Sequence, residues 1–186
     1  MNFKEKIVRY RVSVGIFVLL LVLIFAEPTF KSILWGGVIG FAGVLIRAWA
    51  SGHLNKNNKL TVSGPYRFSR NPLYLGNIIM GIGLMVNANS YISAIFLSLY
   101  FLLFYPFLII REKKYLKNKF KDYENFEKVP LLIPNPFRYA KRTKETAQKF
   151  SFTRYFTNRE YNAFLGLLTI ILLFVLRIYL RKIIGW

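Results

Sequence analysis

Two long apolar stretches near the start of the chain decide the fold class. Residues 12–26 read VSVGIFVLLLVLIFA, and residues 33–50 read ILWGGVIGFAGVLIRAWA. Stretches of this length and apolarity are typical of helices that cross a bilayer. Gly36, Gly40 and Gly43 form a small-residue face that allows a neighbouring helix to pack closely. Because only a short turn separates the two stretches, we expect them to form a helical hairpin.

Three further apolar stretches follow along the chain. Residues 73–86 are short for an independent span, whereas residues 91–110 are long enough to cross a bilayer. The turn at residues 87–90 predicts a hairpin between these third and fourth helices, and residues 161–186 form a C-terminal span. The sequence therefore predicts an all-α protein: a multi-span transmembrane helical bundle of about five spans, with residues 1–186 as a single integral membrane domain.

The composition supports a membrane protein and excludes several kinds of chemistry. Hydrophobic residues make up 54% of the 186 residues, and 27 Lys and Arg against 8 Asp and Glu give a net charge of +19. Nucleic acid also attracts basic proteins, but a nucleic-acid-binding protein does not need such apolar stretches, so no nucleic-acid partner is expected. The absence of cysteine excludes thiol nucleophiles and Cys-based metal sites. With His53 as the single histidine and Asp122 as the single aspartate, no metal site and no Ser–His–Asp triad are expected.

The basic residues predict the orientation in the membrane. They concentrate at the N-terminus and in residues 51–71 and 111–160, which five spans would place on one side. Because positive charge marks the cytoplasmic side, we expect a cytoplasmic N-terminus and a C-terminus on the opposite side. Residues 137–160 are basic and aromatic, which predicts an interfacial helix on anionic lipid headgroups, without a catalytic role. Arg177 is expected to snorkel, and for Arg47 snorkelling and function are equally good interpretations.

Residues 60–76 carry the densest group of polar side chains and read LTVSGPYRFSRNPLYLG. Gly64-Pro65 predicts a turn, and Pro72 suits the first position of a helix. Helix N-termini attract anions, so Arg70 and the amides after Pro72 predict a binding site for a ligand carboxylate. The alternative is that the arginines only bind lipid headgroups while the tyrosines form an interfacial belt.

The order G-P-Y-R-x-x-R-N-P-L-Y-L-G resembles the signature G-x-Y-x-x-x-R-H-P-x-Y-x-G of the isoprenylcysteine carboxyl methyltransferase and phospholipid methyltransferase family. A second block similar to that family follows the fourth span. In this sequence it consists of Arg111-Glu112, Leu116, Phe120, Tyr123, Val129-Pro130 and Ile133-Pro134. The resemblance covers roughly residues 33–136 and implies a methyltransferase-like core there. Two residues differ from the family pattern: Asn71 replaces its histidine, and Lys113 replaces its second glutamate.

The resemblance implies a membrane-embedded methyltransferase that uses S-adenosylmethionine and acts on a lipid or prenyl-lipid acceptor from the bilayer. Methyl transfer from a sulfonium depends mainly on holding donor and acceptor in line, so a chain poor in His and Asp suits it. The implied cofactor site is cytoplasmic and lies between residues 60–76 and the end of the second block. The implied cofactor-binding residues are Leu60, Val62, Gly64, Tyr66, Arg70, Asn71, Pro72, Tyr74, Glu112, Tyr123, Val129, Pro130 and Pro134.

Within this implied site each group has a different task. Leu60, Val62 and Tyr66 provide apolar and aromatic surface for the adenosine. Arg70, Asn71 and Tyr74 contact the ribose and the aminocarboxylate. Arg111 and Glu112 form the implied catalytic pair. Glu112 orients an amino group of the cofactor or the acceptor, and Arg111 holds an anionic acceptor headgroup.

Two other functions stay open on the sequence alone. An isoprenoid or sterol reductase of similar helical architecture would use NADPH and would need a site for the 2′-phosphate of the nucleotide. The basic loops supply positive charge for it, but no specific motif. A non-catalytic lipid-binding protein would keep the fold without the histidine and the second glutamate. Cofactor binding separates these three functions.

Overall fold

The computed structural model describes residues 3–55, 59–120, 123–135, 137 and 148–184, and the elements in this part of the chain are all helical. The elements are α1 (Phe3–Phe25), α2 (Phe30–His53), a 3-10 turn (Gly64–Arg67), α3 (Pro72–Ala88), α4 (Tyr91–Lys119), α5 (Tyr123–Phe126), α6 (Phe152–Thr157) and α7 (Tyr161–Ile184). The predicted all-α class is therefore confirmed.

The predicted apolar stretches all coincide with helices. Among the described residues, three helices are long and apolar enough to cross a membrane, namely α2, α4 and α7. Helix α3 is apolar but only 17 residues long, as expected for the short third helix, and α1 covers the first apolar stretch. The protein is thus a helical integral membrane protein. The count of five spans and the side on which each terminus lies stay predictions.

Two helical regions differ from their predicted bounds. Helix α4 continues through Pro106 to Lys119, so Arg111 and Glu112 lie within a helix and not at its end. The interfacial helix expected within residues 137–160 is much shorter where the structure describes it. Within residues 148–160, which the structure describes, the helical residues are Phe152–Thr157, because Ser151 caps the start of this helix and the chain turns at Asn158. The basic residues at 138–147 lie outside the described residues.

The chain divides into two compact units. The first contains Met1–Phe41, Ile78–Leu108 and Leu165–Trp186, and the second contains Ala42–Asn77 and Ile109–Phe164. The core of the first unit includes Val22 and Phe174, which are fully buried. The residues of the candidate site all belong to the second unit.

The predicted small-residue face brings two helix backbones together in the first unit. A Cβ atom added to Gly83 of α3 would lie 2.6 Å from the carbonyl oxygen of Gly36 and 2.6 Å from the amide nitrogen of Gly40. The helices can approach this closely because glycine carries a hydrogen atom where other residues carry Cβ. Real Cβ atoms do not come so close to backbone atoms. The close packing predicted from Gly36 and Gly40 is present, and α3 is the partner.

Arg177 caps α1 instead of snorkelling. Its Nε donates to the carbonyl oxygen of Ala26 at 2.7 Å, and its Nη2 donates to that of Ile24 at 2.6 Å. The last carbonyls of a helix have no partner within the helix and carry partial negative charge, so a guanidinium satisfies and stabilises them. Snorkelling is therefore the wrong interpretation of Arg177.

We expect Arg177→Ala to lower the free energy of unfolding by about 1–3 kcal/mol, because it removes two charge-assisted hydrogen bonds. Chemical unfolding in detergent micelles measures this change. Arg181→Ala is the matched control: Arg181 lies 3.6 Å from Glu27 in a partly exposed ion pair, and such pairs contribute about 0–1 kcal/mol. Equal losses in both variants would contradict the capping role of Arg177.

Candidate functional site

The two stretches that the sequence predicts to meet do meet, within the second unit. Residues 60–76, here called the motif segment, lie against residues 129–135, here called the closing segment. The hydrogen bonds between them are Arg70 N to Pro130 O (2.9 Å), Ser69 Oγ to Leu132 O (2.8 Å), Asn71 Nδ2 to Leu131 O (2.8 Å) and Asn135 N to Phe68 O (3.4 Å). The motif segment is therefore held along its second half by the closing segment.

The local fold of the motif segment follows from its glycine and prolines. Gly64 has a φ of +58°, a left-handed conformation that glycine adopts without strain. A Cβ atom there would also lie 2.6 Å from the ring of His53. Pro65 lies at the start of the 3-10 turn. Pro72 is the first residue of α3, as predicted, and it is buried. His53 is a buried packing residue whose Nδ1 lies 3.0 Å from the carbonyl oxygen of Trp49.

Both motif blocks contribute to one apolar core beneath the site. Its buried members are Ala50, Val62, Tyr66, Tyr123, Phe126 and Val129, with Leu54, Leu60, Leu73 and Leu116 packed against them. Tyr123 and Val129 are 2% and 1% exposed, so they pack in the core against which the motif segment lies. The predicted contacts of these residues with a cofactor stay predictions.

Several polar groups of the motif segment are buried without a partner. The hydroxyls of Ser63 and Tyr66, and Nε and Nη1 of Arg70, have no hydrogen-bond partner among the described residues. An unpaired buried polar group costs about 1–3 kcal/mol, and native structures normally satisfy such groups with protein, water or ligand. The chemistry of this set suits a nucleoside-bearing amino acid, because a guanidinium pairs with a carboxylate and hydroxyls pair with a ribose.

Tyr66 is held as a neutral hydrogen-bond donor. Burial raises the pKa of its phenol far above the usual value, the carboxylates of Glu112 and Glu160 raise it further, and Arg47 lowers it in part. The phenol therefore keeps its proton throughout the range in which ordinary tyrosines ionise, at about pH 10.

This shift predicts a specific titration behaviour. At about pH 11, where ordinary tyrosines have ionised, folded wild type and folded Tyr66→Phe should show the same phenolate absorbance. Unfolding should then add one more phenolate to the wild type than to Tyr66→Phe. Since the folded pKa is raised, the stabilisation from Tyr66 is complete below about pH 10 and is lost as pH rises further. A wild type that already shows the extra phenolate while folded would contradict the burial of a neutral phenol.

A buried polar network next to Tyr66 was not fully predicted. Arg47 donates through Nη1 to the side-chain oxygen of Asn77 and through Nη2 to Glu160. Glu160 is only 7% exposed. Arg47 thus does not snorkel, and Asn77 and Glu160 are members of the site that the sequence did not identify. The available signal was an acidic residue directly before an apolar span, in an otherwise basic segment.

The implied catalytic pair divides in the structure. Glu112 is half-buried and its charge acts on the Tyr66 phenol, whereas Arg111 is exposed. Lys113, which replaces the second family glutamate, pairs with Glu127 and holds the pKa of that carboxyl below its usual range.

The outer residues of the predicted site are more accessible. Tyr74 and Pro130 are half-buried, and Pro134 is exposed. The described residues hold no group of three or more His, Cys, Asp or Glu side chains that could bind a metal ion.

The structure brings the motif segment, Glu112 and the closing segment together, and leaves Arg111 and Pro134 at the surface.

The fold and the site define a helical integral membrane protein with buried, unpaired polar groups in one unit. Residues 46–123 match the model of the phospholipid methyltransferase family. This segment is therefore similar to that family of membrane methyltransferases, and the resemblance read from the sequence is confirmed. The match supports methyltransferase activity in general.

Two relatives extend the comparison. The cobalt-zinc-cadmium resistance protein CzcN of Cupriavidus metallidurans is 28% identical over 176 residues, which cover 87% of this chain and 81% of that protein. The nickel-cobalt-cadmium resistance protein NccN of Alcaligenes xylosoxydans xylosoxydans is 30% identical over 103 residues, which cover 52% of this chain and 48% of that protein. No solved structure matches the chain.

Proposed function

We propose that the protein transfers a methyl group from S-adenosylmethionine to a lipid or prenyl-lipid acceptor drawn from the bilayer. One observation carries the proposal. The two family blocks are joined by hydrogen bonds around buried polar groups that lack partners among the described residues. A bound nucleoside-bearing amino acid would supply those partners.

The residues of the second unit suggest how the cofactor would be held. The Arg70 guanidinium would pair with its carboxylate, and the neutral Tyr66 phenol would donate to an oxygen. Leu60 and Val62 would provide apolar surface for the adenine. Glu112 would attract its ammonium group. The cofactor supplies a methyl group on a positively charged sulfur, and the protein contributes mainly position and exclusion of water.

The acceptor would come from the surrounding lipid. The spanning helices leave many large apolar side chains exposed, so an acceptor with a long apolar tail would reach the site by lateral diffusion along α3, the shortest apolar helix. Anionic headgroups would bind the basic segments on the cytoplasmic side. The N-terminus and the cofactor site would be cytoplasmic, with the C-terminus on the opposite side.

Calorimetry on the purified protein in detergent tests the cofactor. We expect binding of S-adenosylmethionine and of its demethylated product, and no binding of NADPH. Binding of NADPH alone would replace the proposal with the reductase, and binding of none of the three would leave a non-catalytic lipid-binding protein. Incubation with labelled methyl donor and fractionated lipid extracts would then identify the acceptor class.

The similarity to CzcN over most of the chain favours a second proposal, that this methyl transfer contributes to tolerance of divalent transition metals. The test is growth of a bacterial host in cobalt, zinc and cadmium. Wild type should raise the tolerated concentration, and Arg70→Ala, which disrupts the proposed cofactor site, should not. Equal growth with both would reject the link between methyl transfer and tolerance.

A further inference from the structure

Glu160 reaches the site from a part of the sequence that the family match does not include. The match ends at residue 123, and Glu160 directly precedes α7. Its carboxylate nevertheless accepts from Nη2 of Arg47, within α2. Ionisable groups inside or near a span are expensive to bury and are usually retained for function. The pair is therefore a candidate for a role beyond packing.

The segment before Glu160 is fixed to the end of α2. Residues 148–160, here called the strap, satisfy the last carbonyls of that helix. The contacts are Ser151 N to Gly52 O (3.0 Å), Arg154 Nε to Gly52 O (2.8 Å), and Asn158 Nδ2 to Ser51 O (3.1 Å) and to Leu54 O (3.3 Å). Helix C-termini need such donors. The strap thus presents Glu160 to Arg47 from a defined position instead of lying free on the lipid surface.

Arg47 transmits this position to the start of α3. Its second hydrogen bond goes to Asn77 of α3. Gly76 of α3 lets this helix approach α2 closely, because a Cβ atom there would lie 2.5 Å from Cγ of Arg47 and 2.8 Å from the carbonyl oxygen of Gly43. The first turn of α3 follows directly after Arg70 and Asn71. Moving Arg47 would therefore move the polar end of the motif segment.

We propose that Glu160 is a positioning residue for methyl transfer, which acts through Arg47 to fix the start of α3 and the motif segment. The inference rests on the proposed function. It gives the strap a role in the reaction, whereas the sequence predicts for residues 137–160 only an interfacial helix on anionic lipid headgroups. Because in-line transfer is sensitive to placement, a shift of these groups would reduce turnover more than cofactor affinity.

The test measures kcat and KM for the methyl donor, with kcat expressed per site that binds the demethylated cofactor in calorimetry. We expect Glu160→Ala to lower kcat about 100-fold and to change KM for the donor less than about threefold. Glu160→Gln, which keeps a hydrogen-bond acceptor, should lose about tenfold. Adding Arg47→Ala to Glu160→Ala should cause little further loss, because the two residues act in one network.

Expressing kcat per binding site separates positioning from folding. A purely structural role would reduce the number of binding sites and leave kcat per site unchanged, which would overturn the inference. Loss of cofactor binding in Glu160→Gln, or additive losses with Arg47→Ala, would overturn it as well. Glu27→Gln is the matched control, an acid-to-amide change in the first unit that should retain wild-type kcat. If wild type itself neither binds cofactor nor transfers methyl groups, the proposed function fails irrespective of Glu160.

Discussion

Gly83→Ala is expected to lower the free energy of unfolding by about 2–3 kcal/mol, because the added methyl group would overlap the backbone of α2. The overlap involves the carbonyl oxygen of Gly36 and the backbone of Gly40, at 2.6–2.8 Å from the new Cβ atom. Backbone atoms of a helix cannot rotate away as a side chain can. The two helices must therefore separate, which also loses the packing around the contact. Chemical unfolding in mixed micelles gives the change in free energy.

Gly166→Ala is the matched control for this prediction. Gly166 also lies in a helix, but a Cβ atom there would meet nothing within 4 Å. Since alanine is the better helix former, this variant should be stabilised by up to about 1 kcal/mol. If Gly83→Ala were as stable as Gly166→Ala, the close backbone contact between α2 and α3 would be wrong.

The second large effect is expected at Asn71, which is 8% exposed. Its amide donates to the carbonyl oxygen of Leu131 at 2.8 Å. Asn71→Asp keeps the shape but replaces the donor with an acceptor, so two negative oxygens would face each other. On the proposed function we expect affinity for the demethylated cofactor to fall about 10- to 100-fold, or roughly 1.5–3 kcal/mol. Calorimetry measures it.

Asn71→His restores the residue found in the family signature. A neutral imidazole carries one N–H donor, which can replace the amide bond to Leu131. We therefore expect cofactor affinity within about threefold of wild type, in contrast to the aspartate variant. Equal affinities for wild type and Asn71→Asp would show that the bond between the motif and closing segments does not support the site.

The sequence predicted those parts of the fold that depend on local chemistry. The apolar stretches gave the helices, and Gly64, Pro65 and Pro72 gave the turn and the start of α3. The glycines of α2 predicted a close contact but not its partner, because a small-residue face accepts any neighbouring helix. Helix α4 extends beyond the predicted span of residues 91–110, because charged residues continue a helix without an apolar signal.

The long-range polar contacts could not be predicted from one sequence. An arginine near the end of a span has the same local pattern whether it snorkels or caps another helix, and the carbonyl that decides the matter for Arg177 lies 151 residues away. Arg47 and Glu160 are separated by 113 residues. The two motif blocks were easier to assign, because their order and residue types resemble those of a known family.

The hydrogen bonds of the motif segment define how much sequence must be exchanged to transplant its specificity. In a chimaera that takes only residues 46–123 from a relative, the residues that correspond to Arg70 and Asn71 would come from the relative. Their hydrogen-bond acceptors, the carbonyl oxygens of Pro130 and Leu131, would still come from this protein. A mismatch between these donors and acceptors would disturb activity even if every recognised family residue had been transferred. A swap that extends through residue 160 keeps donors and acceptors of one origin together, and is the smaller perturbation despite its greater length.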